Sequence, residues 1–283
     1  MLTADIFLIR LMGGGLLKPK NTRLGADIAG QVEAVGVNVK QFRPGDAVFG
    51  DVSRRGNGGF AEYACAREDE LAPKPANLSF EEAAAVPIAG LTALQGLRDQ
   101  GRIRPGQKVL IQGAAGGVGT FALQIAKAFG AEVTAVCSTQ NLDQARALGA
   151  DHVIDYTQED FTQNGQQYDL ILAVNGYHPL SDYKRVLSPK GIYVMAGGAP
   201  AQIFQAMLLG PLMSKSGGKK MGGVSAKTSQ KDLIFLKELL EAGKVVPAID
   251  RRYPLSETAE ALRYLGSGHA RAKIVIMVGQ NGE

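Results

Sequence analysis

The sequence predicts an α/β chain: a doubly wound parallel sheet joined to a Gly-rich β segment. Three observations carry this. From Lys108 onward, apolar strand-like runs alternate with helical patterns. A Gly-rich turn, Gly113-Ala114-Ala115-Gly116-Gly117-Val118-Gly119, lies between the first such strand and the first such helix. The residues before Leu78 instead hold short β-like runs broken by Gly and Pro. Regular alternation of strand and helix implies a parallel sheet with helices on both faces.

The elements follow in order. Asp27–Val35 reads as β, broken by Gly30; Ala47–Phe49 follows the turn Pro44-Gly45-Asp46; Phe60–Cys65 is a further β-like run. Ser79 with Glu82 forms a capping box for a helix over Glu81–Val86, which Pro87 interrupts. Lys108–Gln112 is a buried strand, followed by a helix to Phe129. Then come strand Glu132–Val136, helix Leu142–Leu148, and strands His152–Ile154 and Leu170–Val174. Helix Leu180–Leu187 and strand Ile192–Met195 complete the alternation. Lys231–Ala242 has Leu233, Leu236 and Leu240 at helical spacing; Ser256 is placed to cap a helix through Leu265, and Lys273–Val278 is a final strand. The texture changes near Leu78, and the expected division is 1–88, 89–229 and 230–283.

Composition narrows the function classes. A net charge of +4 with 45% hydrophobic and 20% charged residues is globular arithmetic. The 36 Gly follow no collagen period and so serve turns and close backbone approaches. Two cysteines, Cys65 and Cys137, exclude a disulfide scaffold and any zinc site of three or four cysteines; both are expected to be small buried residues. The apolar stretch Ile6–Ile9 lacks a basic leader and adjoins Asp5, so a cytoplasmic protein without a membrane partner is expected. Lys215, Lys219, Lys220 and Lys227 read as a solvated loop, and no nucleic acid is expected.

The strand Val109-Leu110-Ile111, the Gly turn and the helix after it form a dinucleotide fingerprint in its structural context. Ala114, Gly116 and Gly119 hold the three key places: Gly116 admits the pyrophosphate and Gly119 lets helix pack on strand. The helix N-terminus then presents free N–H groups and about half a unit of positive charge to phosphate. An NAD site places Asp or Glu after the second strand to hold the ribose 2′-hydroxyl. Here Ser138-Thr139-Gln140-Asn141 follow, with no carboxylate before Asp143 and no Arg or Lys before Arg146. Without an acid to repel a 2′-phosphate, NADPH is favoured over NADH, with Ser138, Thr139 and Asn141 as donors.

These residues resemble the quinone oxidoreductase (zeta-crystallin) branch of the medium-chain dehydrogenase/reductase superfamily, which includes the alcohol dehydrogenases. The stretch Gly106–Gly119, Gly25-Ala26-Asp27-Ile28-Ala29-Gly30, Pro44-Gly45-Asp46-Ala47-Val48, Gly59-Phe60-Ala61-Glu62-Tyr63 and Ala89-Gly90-Leu91-Thr92-Ala93 carry the resemblance. Leu148-Gly149-Ala150-Asp151 and Asp155-Tyr156 continue it, so it spans essentially the whole chain. It implies a Rossmann-type domain inserted in a GroES-like β-barrel domain, hydride transfer from NADPH to quinones or α,β-unsaturated carbonyls, and a homodimer. Carried over by position, the pyrophosphate meets Ala114, Ala115, Gly116, Gly117 and Val118. The adenosine phosphate meets Ser138, Asn141 and Tyr156; Asn175, Gly197 and Gly198 border the nicotinamide. The late loop with His269 and Arg271 closes on the cofactor.

The departures matter as much. Zinc-dependent relatives carry His-Glu where Ala26-Asp27 stand, and Pro87 stands near a third ligand position, so no zinc is expected. Ala272 replaces a family glycine. The family opens with further β-strands before the start of this sequence, so a barrel incomplete at its N-terminus is expected. Without a metal, hydrogen bonds must meet the charge on the acceptor oxygen. Tyr63 and Asp27 are candidate proton donors, and no residue is assigned. His152 is placed at a strand edge and His178 in a loop. None of the eight Tyr has Lys four residues on, which excludes a short-chain dehydrogenase pair. A non-catalytic, redox-regulatory NADPH-binding protein of the same fold is the second reading.

Overall fold

Six parallel strands form the central sheet of this computed structural model, which describes residues 22–176, 178–197, 218–268 and 270–279. They are β4 (Lys108–Gln112), β5 (Glu132–Cys137), β6 (His152–Asp155), β7 (Tyr168–Ala173), β8 (Leu187–Met195) and β9 (Lys220–Gly223). Their order is β6-β5-β4-β7-β8-β9. The chain runs outward from β4 to one edge, returns, and runs from β7 to the other. That reversal is a topological switch point at the carboxyl ends of β4 and β7, where doubly wound sheets bind ligands.

Strand alternation builds a core on each face. Val109 and Ile111 pack into one cluster with Phe121 and Leu123 of α3 (Gly117–Ala128) and Leu91 and Leu94 of α2 (Pro87–Gln95). After α4 (Leu142–Ala147), the next helix is α5 (Leu180–Val186), and Leu110 packs on the opposite face with Ile171, Phe161, Tyr193 and Tyr183 of α5. These Leu, Ile and Phe side chains have less than 2% of their surface exposed, each contributing about 1.5–3 kcal/mol by leaving water.

The N-terminal part is a three-stranded antiparallel sheet of β1 (Asp27–Gln31), β2 (Ala47–Asp51) and β3 (Leu71–Pro73). The capping box forms as expected: Glu82 N–H donates to Ser79 Oγ at 3.2 Å and Ser79 N–H to Glu82 Oε2 at 2.8 Å, starting α1 (Phe80–Ala84). Toward the C-terminus, α6 (Gln230–Glu241) packs Leu233, Leu236 and Leu240 into the first core. A separate parallel pair, β10 (Ile249–Pro254) with β11 (Lys273–Met277), flanks α7 (Thr258–Gly266).

Several expectations are corrected. Phe60–Cys65 forms no strand, because none of its backbone groups beyond Phe60 joins a ladder among the described residues. Cys65 is consequently exposed, while Cys137 is buried as expected. Pro87 starts α2 instead of merely ending α1; its missing N–H falls in the first turn, where helix amides lack partners anyway. Ser256 does not cap α7: it lies in a 3₁₀ turn over Leu255–Glu257, and Glu257 takes the cap position. Lys220 lies in strand β9, not in a loop, and Lys219 Nζ donates to the Lys184 carbonyl at 2.7 Å. Lys215, Gly198 and His269 lie outside the described residues.

Candidate active site

The Gly-rich turn sits at the switch point, directly after β4. Gly113 and Ala114 both donate to the Val136 carbonyl at 3.1 Å, folding the end of β4 over β5. Gly113 adopts φ +78, and a β-carbon there would stand 2.9 Å from the Asn175 amide nitrogen. The turn therefore abuts the loop after β7 directly. A β-carbon on Gly119 would strike the Gly113 carbonyl oxygen and stand 2.7 Å from Ala114 Cα. Only glycine lets α3 start this close to the strand. Gly116 holds the N-cap position, with no side chain satisfying the first-turn amides of Gly117, Val118 and Gly119. These amides and the helix dipole favour an anion such as a diphosphate.

The other expected residues gather around this turn. Asn175 adjoins Gly113, and a β-carbon on Gly197 would stand 2.5 Å from the Val174 carbonyl oxygen, which places Gly197 beside the same loop. Ser138 and Asn141 meet through Asn141 Nδ2 donating to Ser138 Oγ at 3.0 Å. Tyr156 N–H donates to the Cys137 carbonyl at 3.1 Å, which sets Tyr156 next to Ser138, with its side chain exposed. Ala272 N–H donates to the Ala115 carbonyl at 2.8 Å, so the chain before β11 crosses the turn. Arg271, one residue earlier, donates from Nη2 to Gln140 Oε1 at 2.8 Å.

The donor set expected after β5 is partly spent. Thr139 gives its hydroxyl to Asp155, whose carboxyl also accepts from Thr157. The Thr139 hydrogen bond above all holds the Asp155 carboxyl below the usual range. A carboxylate thus stands beside this stretch in space, although it is absent from it in sequence. Asn141 is buried, and its Oδ1 has no partner. That oxygen is an acceptor and suits a hydroxyl or amino group, not a phosphate oxygen. Burial, then Asp155, push the buried Cys137 thiol up, away from thiolate reactivity.

Asp27 is also committed. Its Oδ1 accepts from Ile88 N–H at 2.8 Å and its Oδ2 pairs with Lys273 Nζ at 2.9 Å, which removes it as a free proton donor. No local sequence signal announces this pair, because 246 residues separate its members. Tyr63 is 75% exposed and lines an open hollow of about 570 Å³ with Arg23, Phe60 and Cys65. His152 pairs with Glu132 at 2.9 Å on the edge strand β6, and His178 stacks edge-on against Phe161 in its loop.

The three positions expected to lack zinc ligands hold residues whose side chains do not fit a metal. The Ala26 side chain offers no lone pair, Asp27 is held by Ile88 and Lys273, and Pro87 carries no side-chain donor. Among the described residues, no group of three or more His, Cys, Asp or Glu side chains is gathered where a metal ion would sit.

Known proteins share this architecture. Residues 3–76 match the alcohol dehydrogenase GroES-like domain, and residues 148–276 match the zinc-binding dehydrogenase family. The chain is 35% identical over 259 residues to a chloroplast envelope quinone oxidoreductase homolog of Arabidopsis thaliana, covering 88% of this chain and 78% of that protein. The chain belongs to the quinone oxidoreductase branch of the medium-chain dehydrogenase/reductase superfamily. This oxidoreductase is also 35% identical over 277 residues to the mitochondrial NAD(P)H oxidoreductase RTN4IP1 of Mus musculus, covering 90% of this chain and 70% of that one. The quinone oxidoreductase of Coxiella burnetii superposes with a TM-score of 0.79 at 33% identity, covering 90% of this chain and 79% of that one. The fold is thus a Rossmann-type α/β sheet with a GroES-like domain, and the chain is an enzyme using a nicotinamide cofactor on a small molecule. No helix among the described residues is long and apolar enough to cross a membrane.

Proposed function

We propose that this oxidoreductase transfers hydride from NADPH to a quinone or an α,β-unsaturated carbonyl, without zinc. The observation that carries the reading is the Arg271 guanidinium at Gln140, beside Ser138 and Asn141 at the end of β5. It supplies a cation where an adenosine 2′-phosphate would lie, a charge the local sequence lacks. The amides of Gly117 and Val118 would hold the diphosphate, with Ala114, Ala115 and Gly116 shaping the turn; Asn175 and Gly197 would border the nicotinamide. Bound NADPH supplies the hydride. Quinones and enones spread the resulting charge by delocalisation, which suits a site whose donor set does not fit a metal.

The same reading divides the chain into a GroES-like part at 1–88, a nucleotide part at 89–229 and a return at 230–283. A homodimer is part of it. Among the described residues, strand β9 is one edge of the six-stranded sheet, and Gly222 on it has no described neighbour within 4 Å of a would-be β-carbon. An edge strand pairs readily with a second copy. The two free cysteines support a reducing, cytoplasmic setting. The test is NADPH oxidation by the full chain against a panel of quinones and enones, with NADH in parallel. Turnover with a preference for NADPH is expected. Tight NADPH binding with no turnover across the panel would overturn the reading in favour of a regulatory role.

A further inference from the structure

Arg271 belongs to no helix or strand, so something else must fix the direction of its side chain. Its N–H donates to Asp250 Oδ2 at 2.9 Å. The same oxygen accepts from Tyr264 Oη, also at 2.9 Å. Asp250 lies on β10 and Tyr264 on α7, so one carboxylate oxygen ties the Arg271 main chain to two regular elements. The Tyr264 ring is itself covered by the Arg251 guanidinium, 3.7 Å from its centroid. On the other side, Ala272 is hydrogen-bonded to Ala115 and forms a bridge with Gly116. The Arg271 backbone is therefore clamped between the Gly-rich turn and the Asp250–Tyr264 pair, and only its long side chain is left to choose a direction.

We propose that Asp250 and Tyr264 are positioning residues that set coenzyme choice by aiming Arg271 at the end of β5. The inference rests on the reading of Arg271 as the cation for the adenosine phosphate. A flexible arginine loses rotamer freedom when it grips a phosphate; a clamped backbone has already lost part of it. The hydrogen-bond chain Tyr264–Asp250–Arg271–Gln140 joins residues from four separate segments, and nothing in the local sequence around Gln140 would supply it.

The experiment measures NADPH and NADH dissociation constants for the full chain and for R271Q, D250A, D250N, Y264F and the double variant D250A/R271Q. Removing a charge-assisted contact in R271Q is expected to lower the NADPH-to-NADH preference roughly ten-fold. D250A is expected to lower it several-fold, Y264F about two-fold, and D250N, which keeps an acceptor oxygen, less than D250A. The double variant should match R271Q, because Asp250 acts through Arg271. If R271Q lowers the preference while D250A and Y264F weaken both coenzymes equally, the positioning role is overturned and the coenzyme reading stands. If R271Q leaves the preference unchanged, the coenzyme reading itself fails. Should D250A not fold, Y264F and D250N decide the matter by the same ratio.

Discussion

Arg271 and Gln140 share a 2.8 Å hydrogen bond across 131 residues of sequence, which brings a guanidinium to the end of β5. An exposed cation that meets a phosphate is screened by salt. Raising ionic strength from about 0.01 to about 0.3 M should therefore weaken NADPH binding several-fold more than NADH binding. Titrations of both coenzymes at the two salt concentrations check this; parallel weakening would remove Arg271 from the phosphate.

Gly119 leaves no room for a methyl group, since the obstacle is the backbone of Gly113 and Ala114. Gly119→Ala should destabilise the fold by about 2 kcal/mol and weaken coenzyme binding, because α3 must move off the strand. Urea unfolding with and without coenzyme measures both effects.

Ala272 sits at φ +70 and is buried against the Gly-rich turn. The left-handed conformation costs an L-residue about 1–2 kcal/mol, and the extra unfolded-state freedom of glycine returns about 0.5–1 of that. Ala272→Gly is expected to stabilise the chain by about 0.5–1 kcal/mol. The urea midpoint should rise with the slope unchanged; a fall would mean that the methyl packing matters more than the strain.

Lys273 and Asp27 form a half-buried ion pair between the N-terminal sheet and β11. Lys273→Met leaves Asp27 with only Ile88 as partner and should cost about 2 kcal/mol. The double variant D27N/K273M should recover most of that loss, since neither charge is then stranded. Chemical denaturation of the four proteins of this cycle tests it.

Asp232 accepts from Arg98 at 2.9 Å and from Gln95 at 2.9 Å on the first turn of α6. Burial pushes its carboxyl up, but the Arg98 and Gln95 hydrogen bonds outweigh burial and hold it below the ordinary 3.8. A depressed folded-state value means that this stabilisation is complete above about pH 4 and lost as pH falls through the lower folded value. Asp232→Asn should lower stability at pH 7 and flatten the pH dependence of the urea midpoint between about pH 4 and 2.

Strands β4, β5 and β7 were legible because each buries both faces and reads as a largely apolar run. The capping box at Ser79 was legible because both of its partners lie within one helical turn. The short elements were not. Lys220–Gly223 has two glycines and a lysine among its four residues, and it becomes a strand only because β8 offers it a partner. Phe60–Cys65 has the opposite history: it carries a β-like pattern and joins no ladder.

The same distinction governs the site. The Gly-rich turn is a local device, a strand end, a bend and a helix start, so its residues and spacing state it outright. The charges around it are not local. Asp155 reaches Thr139, Lys273 reaches Asp27 and Arg271 reaches Gln140 only after the chain has folded back on itself. Sequence determined that a Gly-rich strand–turn–helix device exists, because backbone conformation there depends on neighbouring residues alone. Tertiary structure decided which charges face it, because electrostatic energy depends on distance in space and takes no account of distance along the chain.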